Sequence, residues 1–343
     1  MRLASWQSYD LAPYFPLGTS RGTITSRRVW LLRISESANP EQVGIGEAAP
    51  LAGLSIEEPI QVEAALEEFC KDPSRGPSDF SATPSVRFAI EMAEHDLKSG
   101  GTRILFDSPF VHGKRVIPIN GLIWMGDHDE MLDRLREKID EGYRCMKMKV
   151  GAIDHEQELE LLKRMRAQFK ADELEIRVDA NGAYLPDQAG PILELFADLE
   201  IHSIEQPIKA GHPDQMAILC KESPIPIALD EELIGVYEKD SLLDRIQPQY
   251  IILKPTLLGG FTETEEWIKL AEERGIGWWV TSALESNIGL NAIAQWTATL
   301  NTSLPQGLGT GAVFRNNFPS PLQAHAGSLH YRTSTRWDPS MIP

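Results

Sequence analysis

The chain contains only three cysteines, Cys70, Cys145 and Cys220, and none of them forms a CxxC pair. That scarcity excludes a disulfide framework and a cysteine zinc site, and it makes a reducing, cytoplasmic setting the expectation. The eight histidines include no HxH or HExxH arrangement, so the common zinc-hydrolase patterns are missing and any metal is expected to be oxygen-bound. No run approaches the roughly 20 apolar residues of a membrane span, and the opening MRLASWQSYD lacks the apolar core of a signal peptide. Positive charge is also short. With 33 Lys and Arg against 50 Asp and Glu, the net charge is −17, which disfavours a nucleic-acid backbone or an anionic membrane as partner. An anionic small molecule would have to be met by local cations.

The 343 residues suffice for one large barrel and a smaller domain. Residues 27–34, RRVWLLRI, read as a strand, and a long loop with Tyr14 and Phe15 between prolines precedes it. GIGEAAPLAGLS, residues 44–55, breaks regular structure before helical periodicity begins near Glu57. A second helix from about Pro84 carries Val86, Ala89, Ile90, Ala93 and Leu97 on one face and stops at Gly100 and Gly101. Residues 1–112 are therefore expected to form an α+β capping domain, completed by a tail of about 315–343 that contains Trp337 and packs back on it. From Val116 the pattern becomes an alternation of short apolar runs and helical segments. VIPINGLI, CMKMKV, EIRVDAN, HSIEQPI, PIALDE, YIILKP and GWWVTSAL are followed by a weaker eighth, QGLGTG at 306–311. Eight such units predict a (β/α)8 TIM barrel over 113–314, and the missing GxGxxG leaves a dinucleotide-binding sheet little support.

Lys147 and Lys149, Asp179, Glu205, Asp230 and Lys254 stand at the ends of successive apolar runs, with 24 to 30 residues from each station to the next, counted from Lys149. About 25 to 30 residues is what a strand, a helix and two loops consume, so neighbouring strands would deliver these groups to one rim. Three converging carboxylates repel one another, and a hard divalent cation resolves the conflict; an all-oxygen site with open positions suits Mg²⁺. For each acid taken singly, capping of the following helix is the competing reading. Lys149 and Lys254 flank the acids. A lysine is a base only when neutral, and the neighbouring ammonium of Lys147 together with a dication favours that form. Asn181 could bond substrate or a ligand, or belong to a turn, and Lys254 could pair with Glu231. A metal-held carboxylate acidifies its α-carbon, which points to proton abstraction through an enediolate.

The ordered motifs KMK, RVDANGAY, IEQPI, ALDE and ILKPTLLGG resemble the consecutive barrel motifs of the enolase superfamily, muconate-lactonizing-enzyme-like branch. In that superfamily a Lys or His base works with Mg²⁺. The resemblance implies that Asp179, Glu205 and Asp230 hold Mg²⁺, that Lys149 is the principal acid/base with Lys254 opposite it, and that GEAAPLAGLS closes over substrate. Arg177 and TSALESNIGL resemble the o-succinylbenzoate synthase family within the branch, which implies an Mg²⁺-dependent lyase of menaquinone biosynthesis. N-acylamino acid racemisation, dipeptide epimerisation and muconate cycloisomerisation are the alternatives within the superfamily, and a noncatalytic metal-binding barrel lies outside it. GLGTG, where dipeptide epimerases carry a DxD, counts against dipeptides. Lys147, Arg177, Asn181 and Glu231 are the expected supporting residues, with Ser282 and Gly309 at the strand ends expected to meet substrate. Arg21, Arg27 and Arg28 could pair with a second substrate carboxylate, surface solvation being the default for each. The expected partner is a small carboxylate, with no nucleic acid or membrane and an open oligomeric state.

Overall fold

Two glycines fix how the first layer packs. A Cβ on Gly46 would lie 1.8 Å from the Ala89 carbonyl oxygen and one on Gly44 would lie 2.1 Å from that of Ala93, so only glycine lets the strand approach the helix this closely. The computed structural model describes residues 1–19, 22–123, 128–151, 155–338 and 342. Its first part is an antiparallel sheet of β1 (Arg2–Leu11), β4 (Arg27–Glu36) and β5 (Asn39–Ala48), with the hairpin of β2 (Leu17–Thr19) and β3 (Gly22–Ile24) inserted between β1 and β4. Two helices, α1 (Pro59–Lys71) and α2 (Pro84–Lys98), cover one face. Trp30, Leu32 and Ile34 of β4 alternate onto that face and meet Leu66, Phe69, Val86 and Ile90 in a buried core of their own.

The second part runs β6 (Ile117–Pro118), β7 (Gly121–Ile123), α3 (His128–Asp140), β8 (Cys145–Lys149), α4 (His155–Gln168), β9 (Glu175–Asp179), α5 (Pro186–Ala197), β10 (Ser203–Glu205) and α6 (Pro213–Glu222). It continues with β11 (Ile227–Leu229), α7 (Lys239–Ile246), β12 (Tyr250–Leu253), α8 (Pro255–Leu258), α9 (Phe261–Glu272), β13 (Gly277–Val280) and α10 (Asn287–Thr297). Strands β7 to β13 form one parallel sheet in sequence order, curled toward a barrel. The expected eighth strand at 306–311 is not a regular strand. Gln306 and Gly307 instead make single parallel bridges to Ile119 and Thr281, which closes the gap between the first and last strands. VIPINGLI likewise divides, because β6 turns away to pair antiparallel with β15 (Ser328–Tyr331), itself paired with β14 (Leu322–His325). The hairpin thus braces the start of the barrel, while Phe318 before it and Ile342 after it pack with Leu31 and Ile45 of the first sheet. Among the described residues no helix is long and apolar enough to cross a membrane.

Acidic side chains of the first part cap helices of the second. Glu91 of α2 accepts from the backbone N–H groups of Phe261 and Thr262 and from the Thr262 hydroxyl, at the start of α9. Glu47 of β5 accepts from the Ser286 N–H at 2.7 Å, the Ser286 hydroxyl and the Gly289 N–H at 2.8 Å, at the start of α10. Such groups satisfy helix N–H donors that have no partner within the helix. Burial pushes the Glu47 carboxyl up to about 7, against the pull of the Ser286 hydrogen bonds. Because this value exceeds the ordinary 4.5, the folded state holds the proton more tightly than the unfolded chain. The resulting stabilisation is complete below that ordinary value and is lost as pH rises through about 7. We therefore expect the stability difference between the native protein and Glu47→Gln, measured by urea unfolding, to shrink over that range; a constant or growing difference would count against it.

Candidate active site

Alternation along CMKMK puts Met146 and Met148 into the layer between sheet and helices and turns Lys147 and Lys149 to the barrel interior. Parallel register then sets their neighbours: Lys147 lies beside Arg177, Lys149 beside Asp179, and Asp179 beside Glu205. Asp230 follows β11, and Lys254 follows β12. All three carboxylates are buried, and the three lysine side chains retain only 11 to 12% exposure, toward one cavity. The Lys147 ammonium stands 2.7 Å from Asp179 and 2.5 Å from Glu205. Lys149 donates to Asp179 and to Asn181 Oδ1, both at 2.5 Å. Lys254 donates to Asp230.

The electrostatics follow from that packing. Burial would lower Lys147, yet the charges of Asp179, Glu205 and Asp230 outweigh it and hold this ammonium above its ordinary range. Lys254 is likewise raised, since Asp230, Glu231 and Glu205 overcome burial. Burial would raise Asp179, but Lys147 and Lys149 hold it well below the usual carboxylate range. Glu205 goes the other way, raised by burial and by the adjacent Asp179 charge. One Glu205 oxygen accepts from Lys147; among the described residues no donor reaches the other, which is buried. Asp179 and Glu205 lie side by side in the parallel register, and Lys147 contacts both. Two carboxylates in that relation, with a third on the next strand, fit a hard cation held through oxygen. Among the described residues no three acid, imidazole or thiol side chains are gathered to hold a metal ion in this arrangement. The three lysines supply countercharge instead.

The cavity above these groups has a volume of about 610 Å³. Lys147, Lys149, Asn181 and Lys254 line its charged side, and Ser282, Gly309 and Thr310 its far strand ends. Leu51 and Ala52 of the first part close it. Asn181, at φ +45°, joins the expected acid/base to another expected supporting residue, accepting from Lys149 and donating to Glu231 at 2.9 Å. Glu231 is thus tied to Asn181, and the hydrogen-bonding acid at Lys254 is Asp230. Arg177 is placed differently from the other supporting residues. Level with Lys147 in the register, it lies outside the cavity lining, donating to Glu175 and Pro305 O and stacking on Trp279 with its guanidinium 4.1 Å from the ring centre. Gln206 was not singled out from the sequence. Its buried Oε1 accepts from the Asp230 and Glu232 N–H groups, fixing the start of the Asp230 loop. Arg28 pairs at the surface with Asp10, whereas Arg27 is buried, contrary to the surface default; Arg21 lies outside the described residues.

Residues 130–335 match the family described as enolase C-terminal domain-like, so the chain belongs to the enolase superfamily. Residues 1–97 match the family described as MenC, N-terminal domain. The o-succinylbenzoate synthase of Desulfotalea psychrophila is 44% identical over 95% of this chain and 98% of its own, which places the chain in the o-succinylbenzoate synthase family. The crystal structure of MenC from that organism superposes with a TM-score of 0.85 at 41% identity, covering 96% of this chain and 99% of that one. A dipeptide epimerase from Cytophaga hutchinsonii, complexed with Mg and the dipeptide D-Ala-L-Val, shares the fold at a TM-score of 0.83 and 19% identity, over 98% and 96% of the chains.

Removing one member of a buried ion pair leaves the other uncompensated, at a cost of about 3–5 kcal/mol. Lys147→Met should therefore lower the free energy of unfolding by about that much in divalent-free buffer. A urea-unfolding loss below about 1 kcal/mol would remove Lys147 from its charge-balancing place.

Proposed function

We propose that this chain is an o-succinylbenzoate synthase that dehydrates 2-succinyl-6-hydroxy-2,4-cyclohexadiene-1-carboxylate to 2-succinylbenzoate in menaquinone biosynthesis. The observation that carries the reading is the placement of two lysines beside the same cavity, separated by a row of three strand-end carboxylates. Asp179, Glu205 and Asp230 would hold Mg²⁺, which supplies positive charge for the dianionic enediolate formed when the α-proton leaves. Lys149 removes that proton. The same side chain, now an ammonium, returns the proton to the departing hydroxyl, so one group serves both halves and water is lost. Asp179 and Asn181, both 2.5 Å from its nitrogen, hold Lys149 in one place between the two transfers. Lys254 is confined by Asp230 and serves as a fixed cation beside the ring, where positive charge favours an electron-rich π system. Aromatisation drives the reaction to completion.

Dehydration needs one proton-transferring lysine, whereas racemisation of an N-acylamino acid needs two. A coupled assay on the cyclohexadiene substrate, run beside a panel of N-succinylamino acids with Mg²⁺, decides between them. We expect turnover of the former; absence of turnover, with no solvent deuterium exchange at either α-carbon, would sink the catalytic reading. Lys149→Ala should lower kcat at least about 10³-fold, within the range of positioned acid–base groups. Lys254→Arg, which keeps the charge, should retain more dehydration than Lys254→Ala, and equal losses in both would remove the fixed-cation role. Added Mg²⁺ at about 100 times its Kd should stabilise the protein by about 2.7 kcal/mol. Asp179→Asn should abolish that shift in a thermal melt, and a retained shift would take Asp179 out of the ligand set.

A further inference from the structure

Arg27 opens β4 where the first sheet meets the barrel, and it is only 4% exposed. Its five N–H groups all have backbone acceptors. Nε donates to Leu284 O at 3.3 Å, Nη2 to Ala49 O at 2.5 Å and Ala283 O at 3.2 Å, and Nη1 to Pro50 O and to Arg28 O at 3.3 Å. The planar fork is therefore saturated, and no donor remains for a substrate carboxylate. Glu285 and Glu47 provide opposite charge nearby, and burial pulls the guanidinium down to about 10, so it stays charged at neutral pH.

What the fork joins gives it a role. Ala49 and Pro50 lead into Leu51 and Ala52, which form one wall of the cavity, and Ala283 and Leu284 belong to the facing wall with Ser282. Leu284 sits at φ +63°, a conformation a leucine rarely adopts, and its carbonyl is one of those the guanidinium holds. Building on the proposed dehydration, we propose that Arg27 is a positioning residue that clasps residues 49–55 to the seventh strand end and so sets the width of the substrate cavity away from Lys149. A lysine ammonium has three donors in no fixed plane and cannot bridge both walls in this way. The clasp acts on how substrate is seated and leaves proton transfer to the rim.

Arg27→Lys and Arg27→Gln in the full chain test this by steady-state kinetics and hydrogen exchange. The expected result is a KM raised about tenfold or more, with kcat changed less than about threefold, the pattern of lost uniform binding. Exchange should quicken about tenfold at residues 51–55 and 283–286 and stay unchanged in β9 to β12. KM and exchange within about twofold of the native protein would overturn the proposal, as would equal quickening everywhere or a loss confined to kcat. If the native protein does not turn the cyclohexadiene over, the dehydration reading fails while the exchange comparison still judges the clasp. Should neither variant fold, the native protein alone decides. The hydrogen-bonded amides of Leu54 and Ser55 on one side and Ala283 and Ser286 on the other should lose protection with one common dependence on urea. Separate dependences would overturn it.

Discussion

Three carboxylates share one buried rim, and no such group is stable without countercharge. Much of the barrel interior follows from that constraint. Register sets Asp179 beside Glu205, so the like charges cannot separate, and they are met from the neighbouring strands by Lys147 and Lys149 on one side and Lys254 on the other. Lys147 is the balancing member, because it reaches two carboxylates and their combined charge holds its proton. Glu205, with one oxygen that no donor among the described residues reaches, shows that the balance in this arrangement is incomplete. A bound dication would complete it, and the lysine contacts to the same acids would then compete with it for carboxylate oxygens.

The same geometry explains where the first domain attaches. Each barrel helix begins just after a strand ends, so its free N–H groups and positive dipole end lie on the rim side. A covering domain is therefore best anchored through acids. Glu91 caps α9 and Glu47 caps α10, each from an element of the first sheet-and-helix unit. Arg27 adds the complementary contact, a cation turned toward backbone carbonyls from both sides of the seam. Acid onto N–H and guanidinium onto C=O use the two halves of the peptide group, and they add polar specificity to a seam that apolar contacts also pack, Phe88 against Phe261 and Leu31 and Ile45 against Ile288.

The rim was legible in the sequence because charged residues at the ends of apolar runs are conspicuous, and alternation within CMKMK dictates which way they face. The seam was not. Arg27 looks like one arginine among several near the start of a strand, and its acceptors at Ala283 and Leu284 are more than 250 residues away and are backbone atoms that carry no side-chain signal. Glu47 reads as part of a small-residue loop, although its partners begin at Ser286. The eighth strand failed for another reason. QGLGTG has three glycines and no β-branched residue before Thr310, so it supports bridges at Gln306 and Gly307 rather than a continuous ladder. Arg177 was legible as a member of the right strand, but its place depends on Trp279, which a strand pattern cannot place opposite it.

Rim and seam divide the labour unequally. The rim offers two lysines, and their surroundings differ: Lys149 shares Asp179 with a second ammonium and has a neutral acceptor in Asn181, whereas Lys254 hydrogen-bonds Asp230 alone. A group that must give and take a proton benefits from a neutral partner, since the amine keeps N–H donors for Asn181 Oδ1 in either protonation state. A group that must only remain charged benefits from an undivided carboxylate. The rim alone is compatible with one-base and two-base chemistry, because both lysines border the cavity. Selection between such reactions then falls to whatever holds the reacting carbon nearer to one lysine than the other. The cavity walls at residues 51–52 and 282–284 bound the space available to that carbon, and they meet at the guanidinium of Arg27.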